Sequence, residues 1–146
     1  MPEPISYQSS VYDYTLDSFI IHSHRHADPI DITQNISVFD IFESLERPYL
    51  TGSVIIRDDV EMYDGLKING TELCEVVLSQ PAVDATPVFL NFIIQYVKGT
   101  KKVSDTVEMI DLKLIDKCAF DNNLKQISKS YQGTPTEIIT KICRDN

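Results

Sequence analysis

Apolar and polar side chains alternate along most of this chain, the mark of strands with one face buried. The clearest stretch is 88–98, where Val88, Leu90, Phe92, Ile94 and Tyr96 fall on one side. Phe89, Ile93 and Val97 alternate with Asn91 and Gln95 on the other side, so both faces are expected to be at least partly covered. The basic segment 99–105 is the predicted hairpin loop. The return strand, 106–116, is expected to turn Ile110, Leu112 and Leu114 inward and Asp111 and Lys113 outward. Residues 71–79 place Cys74, Val76 and Leu78 on one face of another strand. Segments 14–22, 36–42 and 50–57 are rich in β-branched and aromatic residues and supply three more. Six strands with turn signals between them and no long helix predict a mainly β fold, a closed or nearly closed antiparallel barrel.

The punctuation fits that plan. Pro48 stops regular pairing after 36–42. Asp58 and Asp59 are expected to cap a short helical turn in which Val60 and Tyr63 share a face, closed by Gly65. Asn69-Gly70 provides a tight reversal, since both residues tolerate positive φ. Residues 81–87, bounded by Pro81 and Pro87, read as a loop. The five glycines, Gly52, Gly65, Gly70, Gly99 and Gly133, read as isolated turn residues.

Both ends of the chain differ from the middle. Residues 1–13, with Pro2, Pro4 and a polar run, read as an extended arm. Near the other end, Thr134-Pro135-Thr136-Glu137 is a capping box with proline at the first helical position. Ile138, Ile139, Ile142 and Cys143 follow as one apolar stripe. So short a helix is marginal unless its stripe is buried. It either docks on the barrel or begins a further domain, and the second is favoured. The expected organisation is an arm at 1–13, a barrel at 14–128, and a linker and helix at 129–146.

Composition narrows the class. The chain has 146 residues, 42% hydrophobic and 24% charged, which is ordinary for a globular protein able to build its own core. No apolar run approaches the ~18 residues of a membrane span, so no membrane partner is expected. Lys and Arg number 13 against 22 Asp and Glu, a formal net charge of −9, which disfavours binding to a phosphate backbone. The acidity is concentrated early: residues 40–75 hold nine acids and three bases, whereas 95–146 hold seven acids and nine bases. A solvated acidic face is the plain account.

Candidate chemistry is sparse. Cys74, Cys118 and Cys143 are odd in number and widely spaced, which speaks against a disulfide framework or a structural zinc site. Cys74 and Cys143 fall on apolar faces, where a thiol acts as a small hydrophobe, and Cys118 has no evident acid–base partner. The N-terminus has neither a basic nor an apolar leader region, so a reducing cytosol is expected and the sequons at Asn35 and Asn69 are read as chance. His22, His24 and His26 form the one metal-like cluster. In a continuous strand all three would point to one face, about 7 Å apart, and two could share a zinc ion. Ala27-Asp28-Pro29 argues that the strand is ending there, leaving a polar strand end near solvent. No glycine cluster cradles a phosphate. No catalytic, cofactor-binding or metal residues are therefore assigned, and no enzyme activity or cofactor is expected.

The run ISVFDIFESLERPYLTGSVIIRDDVEMYDGLKINGTELCEVVL (36–78) resembles the N-terminal part of the baseplate hub proteins of contractile-tailed bacteriophages, themselves similar to the base of type VI secretion spikes. The shared order is a strand, an interrupted segment and a Tyr49-Leu50-Thr51-Gly52 lead-in to a second strand. That strand ends at Arg57-Asp58-Asp59, a half-turn of helix follows, and Gly70-Thr71-Glu72 opens the next strand. The hairpin at 88–116 and the Pro-Thr-Glu-Ile-Ile helix extend the likeness to about residues 30–144. Family members are considerably longer, with a second barrel and helical insertions that this chain lacks.

The resemblance implies a small Tudor-like β-barrel with short helical turns and a C-terminal helix, in a structural virion protein. In the family, three subunits with two barrels each form a ring that joins the sixfold tail tube to the threefold central spike. The implied partners are other copies of this chain in a trimeric ring, the tail tube protein and the spike protein. DNA would pass through without specific binding. The implied location is the tail baseplate of the virion, after synthesis in the host cytoplasm. Tyr7, Tyr12 and Tyr14 make the arm a candidate for reaching a neighbour. An acidic channel lining would keep the genome from sticking. Two alternatives are a tail-tube or distal-tail protein of another phage type, and a histidine-based metal enzyme or sensor. The first relies on a longer hairpin than the seven-residue loop expected here.

Overall fold

Seven antiparallel strands form a single sheet in the computed structural model, which describes residues 14–58, 67–80, 86–125 and 129–145. In chain order they are β1 (Thr15–His22), β2 (Ile30–Asp31), β3 (Ile36–Phe42), β4 (Thr51–Asp58), β5 (Leu73–Ser79), β6 (Val88–Lys102) and β7 (Glu108–Asp116). Their order across the sheet is β2-β1-β5-β6-β7-β4-β3. Two helices follow, α1 (Lys117–Leu124) and α2 (Pro135–Asp145).

This connectivity forces the sheet to curl. β2 and β3 lie at opposite edges, yet only a 3-10 turn, Thr33–Asn35, and Ile32 separate them in the chain. Six inter-strand steps in a flat sheet would hold the edges about 29 Å apart. The linking chain reaches at most about 18 Å when fully extended. The sheet therefore wraps into a half-barrel, as the alternation pattern predicts. Ile32 is fully buried and plugs the lower seam, and its N–H donates to the Phe19 carbonyl at 2.9 Å. The Phe19 N–H in turn donates to Thr33 Oγ1 at 2.8 Å.

The concave face holds the core. Phe19, Ile21, Val54, Ile56, Cys74, Val76, Phe92, Ile94, Ile110, Leu112 and Leu114 are all essentially inaccessible. A smaller apolar cluster lies on the convex side, where Ala119 of α1 packs with Ile93 and Ile115, flanked by Tyr49, Leu73 and Phe120. β6 and β7 are thus covered on both faces where α1 sits.

Several details depart from the pattern. β6 runs to Lys102, so the hairpin connection is residues 103–107, and Gly99 is a strand residue. The register shifts between Ile94 and Tyr96 and again between Val97 and Gly99. Each bulge reverses the side-chain phase, so Val97 packs on the core and Tyr96 is half exposed. Gly52 is not in a turn either. It lies within β4 opposite Leu114, and a Cβ there would sit 3.3 Å from both the Asp40 carbonyl oxygen and Leu114 Cβ. Its lack of a side chain lets the curled edge close in.

At the reversal before β5, positive φ falls on Gly70 (88°) and Thr71 (85°) rather than on Asn69. Helix α1 was not foreseen: Asp116 ends β7 and also caps the helix, its carboxylate accepting the Cys118 N–H at 2.7 Å. The capping box of α2 forms, with the Thr134 N–H donating to Glu137 Oε2 at 2.9 Å and the Glu137 N–H to Thr134 Oγ1 at 3.5 Å. Its apolar stripe is not buried, since no residue of α2 is, and Ile139 is 61% exposed. The arm at 1–13, the helical turn expected at 59–65 with Gly65, and most of the 81–87 loop lie outside the described residues.

Candidate interaction surface

The half-barrel stays open along the upper part of its seam. β2 pairs only with Ile20 and Ile21 of β1, so no described strand flanks the outer edge of β1 over Thr15–Ser18. Across the opening stands β3, whose one partner strand among the described residues is β4. Between them lies an open groove of about 620 Å³. One wall carries Tyr14, just before β1, with Leu16 of β1, Leu78 of β5, and Val88 and Leu90 of β6. The other carries Phe39, Ile41 and Leu50, and Glu43 is the charged group of the described lining.

The floor of the groove is aromatic. Phe39 meets Phe19 edge-to-face, centroids 5.5 Å apart, and Phe92 at 6.3 Å in the same manner. Tyr14, in the lining, is 60% exposed, while Phe42 (50%) and Phe89 (71%) are exposed at strand positions that alternate with the lining residues Ile41, Val88 and Leu90. Lys113 Nζ stands 5.2 Å from the Phe42 ring centroid. A wide apolar groove with one carboxylate at its edge offers burial and backbone pairing. Among its described lining residues there is no polar constellation for bond chemistry.

The residues considered for chemistry are scattered. β1 ends at His22, whose Nε2 lies 2.9 Å from Glu75 Oε2, while His24 and His26 are exposed in the following turn. Among the described residues no group of three His, Cys, Asp or Glu side chains is placed to hold a metal ion. All three cysteines are free. Burial pushes the Cys74 thiol far up, with the nearby Glu72 carboxylate adding to the effect, so it stays protonated and a poor nucleophile. Glu72 is itself buried. One of its oxygens accepts the Asn69 N–H at 3.0 Å, and Oε2 has no hydrogen-bond partner among the described residues.

The acidic first half divides in the same way. Asp58 and Glu72 are buried and Glu75 faces His22, whereas Asp40, Glu43 and Glu46 are exposed on β3 and beyond its end. Asp58 is the last residue of β4, paired with Glu108. Of the groove residues, sequence reasoning assigns Leu78, Val88 and Leu90 to one face of their strands, groups Tyr14 with the tyrosines of the arm, and has no means of finding the open seam. The one available signal was the scarcity of polar residues in 36–42, where Ser37 and Asp40 alone interrupt the apolar run. No family model matches the chain, and neither curated proteins nor solved structures give a match.

Proposed function

We propose that this chain is a structural, non-enzymatic subunit of a phage-tail baseplate hub, joining the tail tube to the central spike. The resemblance of 36–78 to that family motivates the reading. The observation that carries it is the open apolar seam flanked by the long edge of β3. Unpaired strand edges and exposed apolar grooves are costly in a solitary domain and useful in an assembly. A ring needs head-to-tail contacts that close on themselves, and a seam meeting a complementary segment of the next copy is one such contact.

The acidic surface has a role in this assembly. Among the described acids of 40–75, Asp58 and Glu72 are buried and Asp40, Glu43 and Glu46 are exposed, and a channel lined by exposed acids would repel DNA phosphates as the genome slides past. The test is inspection of the gene's neighbourhood and co-expression with any tube and spike proteins encoded there, followed by size-exclusion chromatography. Co-elution of all three supports the hub. Failure to bind either protein, or the absence of tail genes from the neighbourhood, overturns it.

A further inference from the structure

We propose that Asn69, Gly70 and Glu72 form a calcium-binding site in the loop that opens β5. The donors are the Glu72 carboxylate, the Asn69 carboxamide oxygen and the Gly70 carbonyl oxygen, with water completing the shell. The site uses none of the groove residues and stands apart from the hub reading.

The first observation is the convergence of these groups. The inward atom of the Asn69 carboxamide lies 2.9 Å from the Gly70 carbonyl oxygen and 2.8 Å from Glu72 Oε1. With its nitrogen inward the carboxamide donates to both; with its oxygen inward, three oxygens close on one point. An ion about 2.4 Å from each sees oxygens that far apart at about 71–74°, the spacing around the equator of a pentagonal bipyramid. The backbone that carries the donors is anchored to β6. The Thr71 N–H donates to the Ile94 carbonyl at 2.9 Å, and the Ile94 N–H donates to the Glu72 carbonyl at 3.0 Å. Asn69 is exposed whereas Gly70 and Glu72 are buried, so the cluster reaches from solvent to the interior.

The second observation is an unneutralised charge. Glu72 is 2% exposed, and its Oε2 is inaccessible, without a hydrogen-bond partner among the described residues. Buried carboxylates are ordinarily paired with a cation or coordinate a metal. All 13 Lys and Arg and the three histidines lie among the described residues. The ion pairs they form there are His22–Glu75, Lys98–Asp111, Lys117–Asp121 and Lys129–Asp145, and none involves Glu72. The remaining segments contain no basic side chain, so no side chain of this sequence neutralises the carboxylate. An inward amide nitrogen satisfies Oε1, yet it is neutral and leaves Oε2 alone. A bound cation answers both needs.

The donor set selects the ion. Carboxylate, carboxamide and backbone carbonyl oxygens suit a hard cation in preference to zinc or copper. Two of the three donors are neutral. Magnesium gives up water reluctantly and is held through carboxylates and phosphates, so calcium fits better. A single carboxylate makes the site weak, with a Kd on the order of 10⁻⁴–10⁻³ M.

The test uses the full chain, dialysed against a chelator and titrated with calcium chloride or magnesium chloride, followed by calorimetry and thermal unfolding. We expect calcium to bind in that range and to raise Tm by about 4–8 °C at about 10 mM, with a smaller shift for magnesium. Glu72→Gln should abolish the shift while the β circular dichroism signal persists. Asn69→Asp should melt below the parent in chelator, because two carboxylates then face each other, and should gain more from calcium than the parent does. Absence of calcium binding, an equal response to magnesium, or an undiminished response in Glu72→Gln overturns the proposal. So does an Asn69→Asp variant that calcium fails to rescue, the result expected of an amide that only donates.

Discussion

Phe39 offers the sharpest probe of the curl. It belongs to β3 at one edge of the sheet, and its ring meets Phe19 of β1, five strand positions away. In a flat sheet those strands would lie about 24 Å apart. Truncating a fully buried Phe to Ala costs about 3–5 kcal/mol. Phe39 is only partly buried, so Phe39→Ala should cost about 2–4 kcal/mol on that scale. The informative experiment is a double-mutant cycle with Phe39→Leu and Phe19→Leu, which keeps most of the volume and removes the edge-to-face contact. Such pairs are worth about 0.5–1.5 kcal/mol beyond their area, so the coupling should be near 1 kcal/mol. Urea unfolding followed by far-ultraviolet circular dichroism measures it, with the midpoint shifting at unchanged slope. Additivity within about 0.3 kcal/mol, the behaviour of distant sites, would refute the curled arrangement.

Three further predictions follow from individual contacts. In native protein a maleimide should label Cys118 and Cys143 and spare Cys74, which should become reactive only in denaturant; rapid native labelling of all three would contradict its burial. His22→Ala should shift stability by less than about 1 kcal/mol, as expected of an exposed pair, and purified protein should carry no stoichiometric zinc or iron by elemental analysis. The Asp31 carboxylate accepts from the Thr33 hydroxyl and its N–H, and these bonds hold its pKa below the ordinary carboxylate value. Folding therefore favours the ionised form. The stability this adds is present above the ordinary carboxylate value and is lost as pH falls through the folded one. The urea midpoint of Asp31→Asn should lie below that of the parent at pH 7 and converge with it in acid, and a gap that widened in acid would reverse the sign.

Much of the fold was legible because strand periodicity is local. Ile110, Leu112 and Leu114 alternate with Asp111 and Lys113, and all five take the faces that alternation assigns. The α2 start was legible for a similar reason, because the capping box lies within four residues. Bulges defeat the same logic. One extra residue near Gln95 and another near Lys98 reverse the phase of β6, and nothing in the local composition announces it. Helix α1 was hidden because its cap, Asp116, is also the last residue of β7. Its Lys117–Asp121 pair was visible only at helical spacing. The seam was beyond reach because it depends on strand order, which joins residues such as Leu16, Phe39 and Leu90 from three separate parts of the chain. The edge role of β3 comes from the same long-range order.

Among the described residues, the groups considered for chemistry are either buried, as Cys74 is, or dispersed over the surface. The proposed role of the chain is structural, at the junction of tube and spike. Immunogold electron microscopy of intact tails with antibody to this chain tests that placement most directly. Gold confined to the junction of tube and spike is the result expected; gold spread along the tube, or tails without label, would contradict the account.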